Sequence, residues 1–173
     1  MENAETRKNF IKLMQAAYSG ELAAALAYGG HWRALKVSEE VEAIKQIEID
    51  EWKHRKRVGE ILEELNAKPS HIREKIFWTI GTAIALICRV CGHFCAAYFA
   101  GILERGNVNE YNMAHNYAET LGLTHLLNDF REMEKTEAEH ELILFRMVEN
   151  HRFLPYFSYL FKWGGNRDLL LKE

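Results

Sequence analysis

The chain has 173 residues, 48% of them hydrophobic and 27% charged, with a formal net charge of −3. That length holds one domain with a real core, the composition is ordinary for a soluble fold, and the slight acidity excludes a general nucleic-acid binder. Cys88, Cys91 and Cys95 crowd into one apolar segment, which is no secreted disulfide framework and points to a reducing, cytoplasmic setting.

The opening residues Met1 to Thr6 are acidic and polar and carry neither signal-peptide nor lipidation character. Only Pro69 and Pro155 interrupt the chain, so long helices are open to it. The first helix is predicted over about Thr6–Leu35. Its stripe reads Phe10, Met14, Ala17, Glu21, Ala24, Tyr28, His31, Leu35, in alternating steps of four and three. A second is predicted over about Glu39–Asn66, with Ser38 as its N-cap and the stripe Ile44, Ile47, Glu51, His54, Val58, Ile61, Leu65. Pro69-Ser70 marks a stop and a new start.

A third helical region fills roughly Ser70–Leu121. Ile76 to Val90 is apolar on nearly every face, and the later stripe reads Phe94, Ala97, Gly101, Glu104, Val108, Tyr111, His115, Ala118. Gly81, Gly92 and Gly101 each offer a break, so the boundary between a crossover helix and the third bundle helix stays open. The uncharged run Ile76–Cys88 has 13 residues, short of the ~20 that span a bilayer, so this segment reads as a buried or interfacial helix. A fourth bundle helix is predicted over about Leu123–His151, with the stripe Leu126, Phe130, Met133, Glu137, His140, Leu144, Met147, His151. The aromatic tail from Arg152 is flanked by Lys162 and Arg167 and contains Gly164-Gly165. It reads as an additional helical segment with interfacial character.

Four stripes with a mean period near 3.5 predict an all-α four-helix bundle. The short link after Leu35 makes the first two helices an antiparallel hairpin, and the long link before the third is a crossover. Residues 1–151 form the bundle and residues 152–173 the tail.

Each hairpin then carries the same charged pattern inside an apolar stripe: Glu21 with Glu51-x-x-His54, and Glu104 with Glu137-x-x-His140. Residues i and i+3 share a helix face, so each Glu and His point inward together. One such pair alone is commonly solvated; two copies, each behind a lone inward Glu, need a compensating charge. Four carboxylates and two neutral imidazoles offset two divalent cations, and hard carboxylates with imidazole suit iron or manganese. No catalytic residue is called beyond these six. Tyr28 and Tyr111 lie seven residues after Glu21 and Glu104, placed to bond a ligand across the bundle. Asp50 is placed to orient His140; Thr136 holds the equivalent position in the other half. Glu48 and Glu134 read as rim, His31 and His115 as core or cavity-lining. Cys88-x-x-Cys91 reads as buried thiols, since no second Cys/His pair completes a site.

On these residues the chain resembles the ferritin-like superfamily and, within it, the demethoxyubiquinone hydroxylase family. The resemblance runs from about Ser19 to His151: Gly20-Glu21 with Tyr28 and Gly30, Glu51-x-x-His54 with Pro69-Ser70, Glu104 with Tyr111-Asn112, and Glu137-Ala-Glu-His140. It implies a ferritin-like bundle and an O2-dependent non-haem di-iron monooxygenase hydroxylating a hydrophobic quinone precursor. Two irons are its cofactors and O2 its co-substrate. Glu51 and Glu137 would bridge the irons, with Glu21 and Glu104 terminal. It also implies peripheral contact with the inner face of a membrane, for which Ile76–Val90 and the aromatic tail are this chain's segments; both also suit a homo-oligomer interface or a cap on the bundle. The alternative is a ferroxidase or peroxide-reducing protein of ferritin or rubrerythrin type, which shares the six ligands. Trp52 stands where bacterioferritins place a haem-ligating Met, and no paired C-x-x-C module exists. A structural membrane protein with a vestigial site is disfavoured by the intact ligand set.

Overall fold

Two helical hairpins pack face to face in the computed structural model, which describes residues 2–165. The first pairs α1 (Glu2–Trp32) with α2 (Ser38–Glu64), and the second pairs α4 (His93–Thr120) with α5 (Leu127–Val148). The crossover α3 (His71–Ile87) lies along α1, and a short α6 (Leu154–Phe161) follows α5. No strand occurs among the described residues. The tail residue Arg167 lies outside them.

The stripes explain the packing. On α2 all seven predicted stripe positions, Ile44 to Leu65, are buried. Phe10 and Met14 of α1 join Val58, Phe130 and Tyr111 in one apolar cluster. Ile44, Ile47, Tyr98, Leu144 and Trp163 form a second. Glu21, Glu51, Glu104 and Glu137 belong to neither cluster, although each is buried. The charged layer therefore separates two dry ones.

Several boundaries differ from the sequence reading. Ser38 is the first helical residue of α2 rather than its cap; extended Val37 holds that position and no side chain caps the turn. Glu39 and Glu40 in the first turn complement the exposed N–H groups instead. Ser70 does cap α3, its Oγ accepting from Arg73 N at 3.4 Å. The break left open falls at Gly92, whose φ of +79° suits glycine. Gly81 stays inside α3 because a Cβ there would lie 2.7 Å from the Ala23 backbone. One at Gly30 would lie 2.3 Å from Ala85 Cα. Small residues thus let α3 lie close on α1. A 3-10 turn, Thr124–Leu126, precedes α5.

The crossover helix is superficial rather than buried. Gly81 is its only buried position, and Ile76, Trp78, Leu86 and Ile87 are exposed. No helix among the described residues is long and apolar enough to cross a membrane. The three thiols are free, but only Cys88 is buried; Cys91 and Cys95 are half-buried because they flank the Gly92 turn. Burial pushes the Cys88 thiol up to about 11, so it stays protonated and inert at neutral pH.

Candidate metal centre

All six donors predicted from the stripes are buried, with Glu51 and Glu137 fully so and His54, at 7%, the most exposed. They converge as two groups. Glu21, Glu51, His54 and Glu137 make one; Glu51, Glu104, Glu137 and His140 make the other. Within each group one donor atom per residue lies within 4.8 Å of every other. Glu51 and Glu137 belong to both, which is the arrangement two shared carboxylates need to link neighbouring cations. His54 Nδ1 lies 2.7 Å from Glu137 Oε1, and His140 Nδ1 lies 3.3 Å from Glu51 Oε1 and 3.6 Å from Glu137 Oε2.

Closeness here is not hydrogen bonding. Glu21 Oε2, both Glu51 oxygens, His54 Nδ1, Glu137 Oε1 and His140 Nδ1 are buried without a hydrogen-bond partner. Buried polar atoms are ordinarily satisfied, and leaving one bare costs about 1–3 kcal/mol. Six such atoms gathered in these two groups fit cations that would coordinate them. The oxygen-rich set with two imidazoles fits hard or borderline divalent metals such as iron.

The protonation pattern agrees. Burial and the charge of Glu137 push the Glu51 and Glu104 carboxyls well above their usual range, and burial raises Glu21. Burial also opposes the charge on Glu137, but His140 and His54 outweigh it and hold this carboxyl below the ordinary value. Burial disfavours the charged form of His54, yet Glu137 and Glu21 raise its affinity for a proton overall. Burial and like-charge crowding thus favour the neutral form of Glu21, Glu51 and Glu104, and binding cations would favour releasing protons from them.

Neighbouring groups hold the donors. Tyr28 on α1 donates to Glu104 on α4, and Tyr111 on α4 donates to Glu21 on α1. These reciprocal bonds cross the bundle as the spacing predicts. Burial pushes both phenols well above their ordinary pKa, with the carboxylates adding to it, so both remain donors. Asp50 Oδ2 lies 3.7 Å from His140 Nε2, and Lys53 and Gln46 fix Asp50 in turn. Thr136 donates within its own helix, to Glu132 O at 3.0 Å, and does not repeat that role.

Other residues come out differently. Asn107 is a further contact that the stripes do not predict: its Nδ2 reaches Glu104 Oε2 at 3.0 Å and Glu137 Oε2 at 3.4 Å. Its position one turn after Glu104 was the available signal. His31 is buried, its ring 5.8 Å from that of His93. Burial lowers its pKa to about 4, with His93 assisting. His115 is half-buried rather than core; it lines a polar surface groove and accepts from Arg131 Nε at 3.0 Å. Glu48 and Glu134 sit at the rim, accepting from Trp32 and Asn112. A groove of about 1180 Å³ runs between α4, α5 and α6, with Val108, Ala138, Leu142 and Tyr159 among its walls.

No curated protein and no solved structure matches the chain. A family model described as "Ubiquinone biosynthesis protein COQ7" matches residues 8–143. That span contains every residue of both donor groups, and the family lies within the ferritin-like di-iron superfamily. The chain belongs to the family of ubiquinone biosynthesis protein COQ7.

Proposed function

We propose that this chain is an O2-dependent di-iron monooxygenase that hydroxylates the ring of a hydrophobic quinone precursor. Its metal ligands are Glu21, Glu51, His54, Glu104, Glu137 and His140. The family supports a ubiquinone-biosynthesis hydroxylase, and the observation that carries the reading is the buried layer of unpartnered donors in two groups sharing Glu51 and Glu137. Two bound irons would supply the electrons that activate O2.

The chain's own residues set the conditions. Four carboxylates offset the charge of two divalent cations, so the filled layer is near neutral where the empty one crowds like charges. Glu51 and Glu137, which belong to both donor groups, would be shared between the two cations, and Glu21 and Glu104 would each hold one. Tyr28 and Tyr111 keep the terminal pair oriented, Asn107 ties Glu104 to Glu137, and Asp50 steadies His140. The apolar clusters on either side exclude bulk water from the reacting atoms.

A lipid-soluble ring must reach this site from a membrane. The exposed apolar side chains Trp78, Leu86 and Ile87 of α3, with Tyr156 and Leu160 of α6, support peripheral contact with a bilayer surface. Anaerobic loading with Fe(II), followed by O2 with and without a quinol analogue, tests the reading. A ring-hydroxylated product is expected. Mineral or water alone, with the analogue returned unchanged, refutes it in favour of iron handling.

A further inference from the structure

Trp163 lies past the stretch matched to the family, yet it is only 1% exposed. It seats where α4 has no side chain: a Cβ on Gly101 would come within 2.2 Å of the indole. Tyr98 Oη donates to the Trp163 carbonyl at 3.0 Å. The rings of Tyr98 and Phe145 meet the indole edge-on, at centroid distances of 5.0 and 5.9 Å. The indole Nε1 donates to Glu141 Oε1 at 2.7 Å, and the same oxygen accepts from Arg105 Nε at 2.8 Å.

The position of these partners is informative. Glu141 directly follows His140 on α5, Arg105 directly follows Glu104 on α4, and Gly101 sits one turn before Glu104. Successive helical residues point about 100° apart, so Glu141 and Arg105 face away from the donor layer while sharing backbone with two of its members. One carboxylate oxygen, gripped by the indole, thus joins the two helices beside Glu104 and His140. These are the two donors that belong to the second group alone. Glu21 and His54, which belong to the first group alone, lie on α1 and α2 and have no bond to Trp163.

We propose that Trp163 is a positioning residue for the metal centre: through Glu141 and Arg105 it fixes α4 against α5 and sets the spacing of Glu104 and His140. The inference rests on the reading of the six residues as ligands. Losing the indole bond lets these two donors separate, so one cation weakens while the other, held by Glu21 and His54, does not.

The test is anaerobic Co(II) titration of the full chain, followed by visible absorption and equilibrium dialysis, for wild type, Trp163→Ala and Trp163→Phe. The Phe variant keeps a ring in the Gly101 seat and removes only the Nε1 donor, so it serves where the Ala variant does not fold. Wild type is expected to bind two Co(II). In the Phe variant one affinity stays unchanged and the other falls about 10-fold, toward the low end for lost outer partners of a metal ligand. The Ala variant, where folded, falls further. Variants that keep both affinities while melting earlier make Trp163 merely stabilising and overturn the proposal, as does equal weakening of both sites. Wild type that takes up no Co(II) overturns the ligand reading and this inference with it; two-site binding unchanged by either variant overturns this inference alone.

Discussion

Replacing Glu110 by Gln should stabilise the metal-free protein at alkaline but not at acidic pH. Glu110 is half-buried on α4, and its Oε1 is buried without a hydrogen-bond partner. Burial, then Glu21 on α1 and Glu137 on α5, push its carboxyl up to about 7, with Arg73 of α3 pulling the other way. A folded pKa above the unfolded value favours folding below pH 4.5, and that advantage is lost as pH rises toward 7. From the ordinary 4.5 to about 7, at 1.36 kcal/mol per decade, the change is roughly 3 kcal/mol. Solvent screening of a partly exposed group trims it to about 2 kcal/mol. Gln stays neutral throughout, so the stability difference between variant and wild type should grow by about 2 kcal/mol between pH 5 and pH 8. Urea unfolding of chelator-treated protein at both pH values measures it. The other carboxylates are present in both proteins, and the part of the difference that involves Glu21 and Glu137 is the coupling that raises Glu110. A difference that stays constant across that range refutes the reasoning. With cations bound, Glu21 and Glu137 are neutralised and the effect should shrink.

Tyr111→Phe removes the donor to Glu21 and should weaken one metal site about 10–100-fold, read by calorimetric titration; an unchanged isotherm contradicts it. Phe130→Ala empties a fully buried position stacked edge-on against Phe10 at 5.8 Å. It should cost about 3–5 kcal/mol in urea unfolding, and a loss below about 1 kcal/mol contradicts the packing. Trp78→Asp with Leu86→Asp places charge on the exposed face of α3. The pair should reduce cosedimentation with liposomes, whereas unchanged pelleting removes α3 from the membrane contact.

The parts legible in the sequence are those governed by one helix at a time. The α2 stripe was readable because each of its positions, from Ile44 to Leu65, faces the core. Glu21, Glu51, Glu104 and Glu137 stood out because a charge inside an apolar stripe demands a partner. Tyr28 and Tyr111 followed from the same periodicity. What stayed hidden depends on a second element. Gly81, Gly92 and Gly101 look alike in sequence, but Gly92 turns the chain, Gly81 admits Ala23, and Gly101 admits Trp163. Asn107 lies off the α4 stripe, and only the fold brings Glu104 and Glu137 to its amide. His115 lay on the α4 stripe but near its outer edge, where α5 offers Arg131 rather than an apolar side chain. Val37 took the cap expected of Ser38 because the extended residue falls one position earlier.

The most direct measurement is the number of Fe(II) ions bound per chain under anaerobic conditions, by dialysis and metal analysis, in wild type, Glu51→Ala and Glu21→Ala. Glu51 belongs to both donor groups and Glu21 to one. The expected result is two ions for wild type, none held stoichiometrically by Glu51→Ala, and one retained by Glu21→Ala. Two ions bound by a folded Glu51→Ala, or none by wild type, contradicts the paired site on which the account stands.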